Sequence, residues 1–147
     1  NKTPIHSAKT NQLKKMCMLG SKEIESLLGE TQLWMAKKTA ELHQELLKNT
    51  NFEISETFPE LWLVGYSELK NKGLFVDYAK ELKESYNNHE DLWEKVYVFQ
   101  HFSMNRFSID LKDFIKNNRG EEKLPKNLFE YLHQLGNPHK KEIFDNL

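Results

Sequence analysis

Two pairs of carboxylate and histidine side chains have the residue types and spacing for acid–base or metal chemistry. Glu130 and His133 are three positions apart, so a helix places them on one face, as in the di-iron bundles that combine two such pairs. A second Glu-x-x-His is not found in the chain. Glu94 and His101 are seven positions apart and would share a polar helix face. The simplest interpretation of both pairs is a solvated surface. Glu94, His101, Glu130 and His133 are kept as an alternative metal or acid–base site, and we expect no cofactor.

A third pattern suits protein recognition. Ser103, Arg106, Asp110 and Asp113 follow one another at helical spacings of three, four and three. Arg106 is one of only two arginines, and arginine is enriched in the residues that dominate protein interfaces. A salt bridge of Arg106 with either aspartate would contribute only a few tenths of a kcal/mol if it is exposed. The alternative is a partner-binding site that contains Arg106, Asp110 and Asp113.

Charge is unevenly distributed along the chain. Residues 1–22 contain five lysines and no acid, whereas residues 53–94 contain ten acids and four lysines. Solvated surfaces explain this in the simplest way, and a basic arm that docks on an acidic partner is the sharper hypothesis. Lys14 and Lys15 represent that arm among the candidate contacts. Trp93 is added as an apolar anchor, although core packing is the default expectation for a tryptophan.

The composition argues against several classes of function. The net charge is −1, and nineteen lysines accompany only two arginines, which disfavours sequence-specific nucleic-acid recognition. No nucleotide-binding, hydrolase, zinc-protease or EF-hand motif is found. Cys17 is the only cysteine, which is compatible with a reducing, cytoplasmic location. No uninterrupted apolar run is longer than four residues, the length of Leu61 to Val64, which is far too short to span a membrane.

These side chains must be positioned by helices, because apolar residues recur at helical spacing in most of the chain. We predict a helix from Ser21 to Asn49, with an apolar face that contains Ile24, Leu28, Met35, Leu42 and Leu46. Further helices are predicted at Phe58–Lys72, after a capping box at Thr57–Glu60, and at Leu74–Tyr86, Pro125–Leu135 and His139–Asn146.

The central element of this prediction is one long helix between Asn88 and Gly120. The segment has no proline and no internal glycine, and its apolar residues fall on two faces. A helix that is apolar on two faces has to be wrapped by others. The expected fold is therefore all-α: a single-domain bundle of five or six helices over residues 11–147, with a long central helix near residues 89–119. A flexible basic lead is expected at residues 1–10, and no sheet is expected.

The absence of catalytic motifs and the abundance of aromatic residues favour a non-catalytic protein-interaction domain. Such a domain would act as an adaptor, regulator, chaperone-like protein or inhibitor through a helical surface or an aromatic groove. The expected partner is another protein or a second copy of the chain. Two alternatives stay open: an enzyme or metal-binding bundle with a dispersed histidine–carboxylate site, and an amphipathic bundle that associates with lipid.

Overall fold

The computed structural model describes residues 22–49, 59–70, 74–101, 106–117 and 138–147, together with Gln12, Lys15, Met18 and Leu19. This part of the chain is mostly helical and contains a small parallel sheet. In chain order the elements are α1 (Lys22–Asn49), β1 (Leu61–Val64), α2 (Tyr66–Leu69), α3 (Val76–Glu84), α4 (Glu90–Trp93), β2 (Val96–Phe99), α5 (Arg106–Asn117) and α6 (residues 138–144).

Three of the predicted helices are confirmed. Helix α1 matches the prediction from Ser21 to Asn49 within one residue. Helix α3 lies inside the predicted Leu74–Tyr86 segment, and α6 coincides closely with the predicted final helix. Ile143 and Phe144 of α6 are buried, as the apolar character of this short helix requires.

The predicted central helix near residues 89–119 is wrong. Strand β2 interrupts it, and all four residues of the strand, Val96 to Phe99, are buried. Valine, tyrosine and phenylalanine favour the extended conformation because they pack well on a pleated surface. A short apolar run of this kind cannot be assigned to helix or strand by periodicity. Only α5 retains the predicted helical conformation in the second half of the segment.

The predicted helix Phe58–Lys72 is also wrong. Its apolar run forms strand β1, and of the described residues in this segment only the four of α2 are helical. Gly65 follows the strand with a φ of 123°, a conformation that is readily available only to glycine. The expected all-α bundle is thus replaced by a mostly helical fold with a two-stranded sheet, and the expectation of no sheet was incorrect.

The two strands run parallel, with Leu61 opposite Val96 and Val64 opposite Phe99. Hydrogen bonds extend the ladder at both ends, from Leu61 N to the carbonyl of Lys95 (3.0 Å) and from Gly65 N to the carbonyl of Phe99 (2.9 Å). A parallel pair cannot be joined by a tight turn and needs a long crossover. Helices α2, α3 and α4 lie in that crossover.

The main core lies between the sheet and helices α1, α3 and α6. Its buried members come from both ends of the described chain: Ala36, Ala40, Leu63, Leu69, Phe75, Tyr78, Ala79, Leu82, Tyr86, Leu92, Val96, Val98, Ile143 and Phe144. A second cluster consists of Tyr97 and Phe99 with Trp62 packed against them. Because side chains alternate along a strand, Val96 and Val98 serve the first cluster while Tyr97 and Phe99 serve the second.

Helix α1 uses a different face from the predicted one. Leu28 is buried, but Leu42 and Leu46 of the predicted apolar face are 52% and 55% exposed. The residues packed against α3 are smaller or polar: Gln32, Ala36, Ala40 and His43. Two alanines allow the helix backbones to approach closely, and the polar side chains bond to groups of α3 and its flanks, as shown below.

Several predicted features lie outside the described residues. These are the lead at residues 1–10, the capping residue Thr57 and the helix Pro125–Leu135. Within the described part of the chain, no helix combines the length and the apolar character needed to cross a bilayer.

Candidate functional site

Gln32 connects α1 to the beginning of α3. Its Nε2 donates to the carbonyl of Leu74, and its Oε1 accepts from the backbone N–H of Tyr78, each at 3.1 Å. The residue that precedes α3, Phe75, offers no side-chain cap, so Gln32 satisfies a first-turn N–H that its own helix cannot. The buried amide therefore has a structural role, as both of its ends are used.

His43 connects α1 to two further segments. Its Nε2 donates to the carbonyl of Pro59 at 2.7 Å. Since a carbonyl oxygen can only accept, Nδ1 of a neutral imidazole must accept, and the Tyr86 hydroxyl donates to it at 2.7 Å. Burial lowers the pKa of His43 despite the opposing bond to Pro59, and burial raises the pKa of Tyr86. Both groups are thus held in their neutral forms.

An aromatic series continues from His43 to the C-terminal helix. The ring of Tyr86 lies 5.3 Å from that of Trp93, and Trp93 meets Phe144 edge-on at 4.8 Å. Lys140 Nζ stands 4.5 Å from the centre of the Trp93 ring and donates to the Trp93 carbonyl. Lys83 Nζ donates to the carbonyl of Phe144. These lysines cap the C-terminal ends of α4 and α6, where a cation is favoured.

A cavity of about 350 Å³ opens beside these capping lysines. Lys83, Lys140 and Lys141 line it together with Trp93 and Phe144, and the carboxylates of Glu94 and Asp145 also face it. Burial lowers the pKa of Lys140, while the nearby charge of Glu94 acts in the opposite direction. The capping bonds at the two helix ends are enough to explain why charged side chains line this cavity.

The outer face of α1, defined here as Leu27 and Trp34, points away from the core. Trp34 is 64% exposed and Leu27 is 54% exposed. Seven positions separate them, which is about two turns or 10 Å along one side of the helix. Polar residues flank them, and Lys38 forms a salt bridge with Glu41 at 2.9 Å. Large apolar side chains within a polar rim are typical of a protein interface.

A second surface, the acidic edge, follows the side of α1 next to α3 and α4. Leu33 and Leu47 are both partly exposed there. Leu33 borders a cavity of about 320 Å³ with acids of α3, and Leu47 borders a cavity of about 460 Å³ with acids of α4. We define the acidic edge by its two leucines and its four exposed acids: Leu33, Leu47, Asp77, Glu84, Glu90 and Asp91.

The described structure does not test whether the predicted partner-binding residues form one surface. Trp93 is partly buried and packs against the core. Lys15 and Asp113 are exposed, the latter on α5. Arg106 and Asp110 also belong to α5, but their side chains lie outside the described part, as does the whole of Lys14. These contacts stay predictions.

The alternative metal site loses the helix that was expected to carry half of it. Glu94 follows α4 and His101 follows β2, so the strand separates two residues that were predicted to share one helix face. Glu130 and His133 lie outside the described residues. Among the residues that are described, no three histidine, cysteine, aspartate or glutamate side chains could hold a metal ion.

The sequence did contain a signal for the outer face. Leu27 and Trp34 are both offset by one position from members of the predicted apolar face, Leu28 and Met35. An offset of one residue rotates a helix position by about 100°. A large apolar residue that far from the core face is a candidate contact, although core packing is the default expectation for a tryptophan.

Comparison of the chain with protein-family models, curated protein sequences and solved structures gave no match. The function has therefore to be argued from the geometry described above.

Proposed function

We propose that this chain is a non-catalytic protein-interaction domain that binds another protein through the outer face of α1. The observation that supports the proposal most strongly is the exposure of Trp34, 64%, on a 28-residue helix. Tryptophan is the residue most enriched among interface residues that dominate binding energy. An adaptor, regulatory or inhibitory role is compatible with such a surface.

The side of α1 opposite the outer face attaches the helix to the rest of the protein, so that Leu27 and Trp34 can stay exposed. Ala36 and Ala40 are buried in the core, and Gln32 and His43 attach the helix to α3 and to Pro59. A contact residue held on a regular element loses little conformational entropy on binding. Helix α1 therefore supports a pre-organised binding surface.

Affinity capture from the native cell, followed by mass spectrometry, tests this proposal. The test variant is Leu27→Ser with Trp34→Ser. The control variant is Leu42→Ser with Leu46→Ser, which replaces two exposed leucines on another side of α1. We expect the outer-face variant to lose partners that the wild type and the control retain, because each anchor contributes more than about 1 kcal/mol to binding. Circular dichroism confirms that both variants are folded. If the outer-face variant captures the same proteins as the control, the proposal is wrong.

A further inference from the structure

We infer that the acidic edge is a docking surface for the basic, apolar N-terminal segment of a second copy of this chain. The inference concerns a surface distinct from the outer face, because Leu33 and Leu47 lie on a different side of α1 from Trp34. It is independent of the proposed function and begins with two exposed features of the same molecule.

The first feature is the acidic edge itself. Leu33 and Leu47 are 40% and 39% exposed and fourteen positions apart, which is about 21 Å along nearly the same side of α1. Gly29 widens the groove at one end, since no atom stands within 4 Å of where a Cβ would be. The edge therefore offers two apolar contacts separated by the length of a short helix.

The four acids of the edge carry negative charge on the surface. Asp77, Glu84, Glu90 and Asp91 are all exposed, and none of them forms a salt bridge within the described ranges. Glu81, by contrast, is bound to Lys37 at 3.4 Å. Among the described residues that line the two cavities, Lys80 is the only lysine or arginine. A segment that docks here should be basic and should carry apolar side chains.

The second feature is the segment that precedes α1. Residues 1–22 contain five lysines and no acid. Met18 and Leu19 are 86% and 88% exposed, and Lys15 is exposed beside them. Large apolar side chains exposed to this degree next to lysines have the chemistry that the acidic edge requires.

The second copy is the occupant that these observations favour. Met18 and Leu19 are turned to solvent in the structure of one chain, so these two side chains do not contact the edge of their own molecule. Two chains related by a two-fold axis cover both acidic edges and both N-terminal segments, because the segment of each chain then docks on the edge of the other. The contact combines apolar burial with charge attraction, so it should weaken as the ionic strength rises.

Sedimentation equilibrium of the full chain and of charge-reversed variants tests the inference. The segment variant is Lys14→Glu with Lys15→Glu, and the edge variant is Asp77→Lys with Glu84→Lys. We expect the wild type to reach twice its mass of 17.5 kDa at low ionic strength. Each variant alone should dissociate at least about tenfold more readily, because like charges then face each other. An equimolar mixture of the two should recover the dimer, since both contacts are again complementary.

Matched variants keep the result interpretable. Lys112→Glu with Lys116→Glu makes the same charge change on exposed positions of α5 and should leave the dimer intact. If the edge variant fails to fold, Leu33→Ser and Met18→Ser replace it in the test. They remove the apolar contacts without changing charge and should weaken the dimer. A wild type that is monomeric at every concentration overturns the inference. That is the result expected if the segment docks within its own molecule or on another protein. A dimer that resists both charge reversals, or a mixture that does not re-form it, overturns it as well.

Discussion

The imidazole of His43 contacts groups from three parts of the chain: α1, which carries it, Pro59 before β1, and Tyr86 after α3. Neither partner supplies a negative charge, so protonation of the buried ring would not be compensated. The position of His43 in the sequence fits no metal-ligand spacing. Its role depends on residues 16 and 43 positions away, and no local pattern can reveal such contacts.

The pH dependence of stability follows from this geometry. Because burial lowers the pKa of His43 below its usual 6.5, the unfolded chain binds a proton at a pH where the folded chain does not. The free energy of unfolding should therefore have its full value above about pH 6.5 and should decrease as the pH falls below it. Urea denaturation between neutral pH and pH 5 measures the slope.

The variant His43→Gln provides the comparison, since glutamine cannot titrate. Its loss of stability on acidification should be shallower than that of the wild type, by at most about 1.4 kcal/mol per pH unit. Histidines elsewhere in the chain are present in both proteins and cancel in the difference. Parallel pH profiles would show that His43 is not held in its neutral form.

At the scale of elements, the sequence predicted α1, α3 and α6 but assigned both strands to helices. The helices were predictable because their apolar residues recur with a clear period over many residues. Leu61–Val64 and Val96–Phe99 are only four residues long, and each is apolar throughout. A parallel strand buried on both faces has no alternation to detect, and its partner is distant in the chain.

The orientation of α1 could not be predicted from its own residues. Its period fits a stripe through Leu28, Leu42 and Leu46, yet the structure buries Ala36 and Ala40 in preference to the last two. The choice is made by the neighbour: α3 presents the backbone groups that Gln32 binds. Hydrogen bonding across the interface therefore overrides the simple count of apolar area.

Two leucines of α1 distinguish these orientations. Leu28 is 6% exposed and Leu42 is 52% exposed. We predict that Leu28→Ala lowers the free energy of unfolding by about 2–5 kcal/mol, whereas Leu42→Ala changes it by less than about 1 kcal/mol. Urea denaturation of the two variants under the same conditions measures both. Equal losses would support the predicted stripe and contradict the observed orientation of the helix.

At the scale of the whole molecule, the C-terminal helix belongs to the same core as α1 and the sheet. Ile143 and Phe144 are at most 2% exposed, and Phe144 packs on Trp93. Lys83 of α3 caps the C-terminal end of α6, and Lys140 of α6 caps the C-terminal end of α4. Helix α6 and the segment from α3 to α4 therefore stabilise each other.

Removal of residues 138–147 should consequently unfold much of the protein. Loss of a buried isoleucine and a buried phenylalanine costs about 2–5 kcal/mol each, which is comparable with the total stability of a domain. Far-UV circular dichroism and thermal melting provide the measurement. Lys141→Ala, at an exposed position of α6, is the control and should melt like the wild type. A truncated chain with an unchanged melting temperature would contradict this account of the core.

The claim on which the proposed function depends is that α1 keeps Trp34 and Leu27 uncovered in the intact chain. Hydroxyl-radical footprinting of the full 147-residue protein measures this directly, with Trp93 and Leu28 as internal references. We predict that Trp34 is oxidised several times faster than Trp93, and Leu27 faster than the adjacent Leu28. If Trp34 is as well protected as Trp93 at a concentration where the chain is monomeric, another part of the same chain covers the outer face and the account is contradicted.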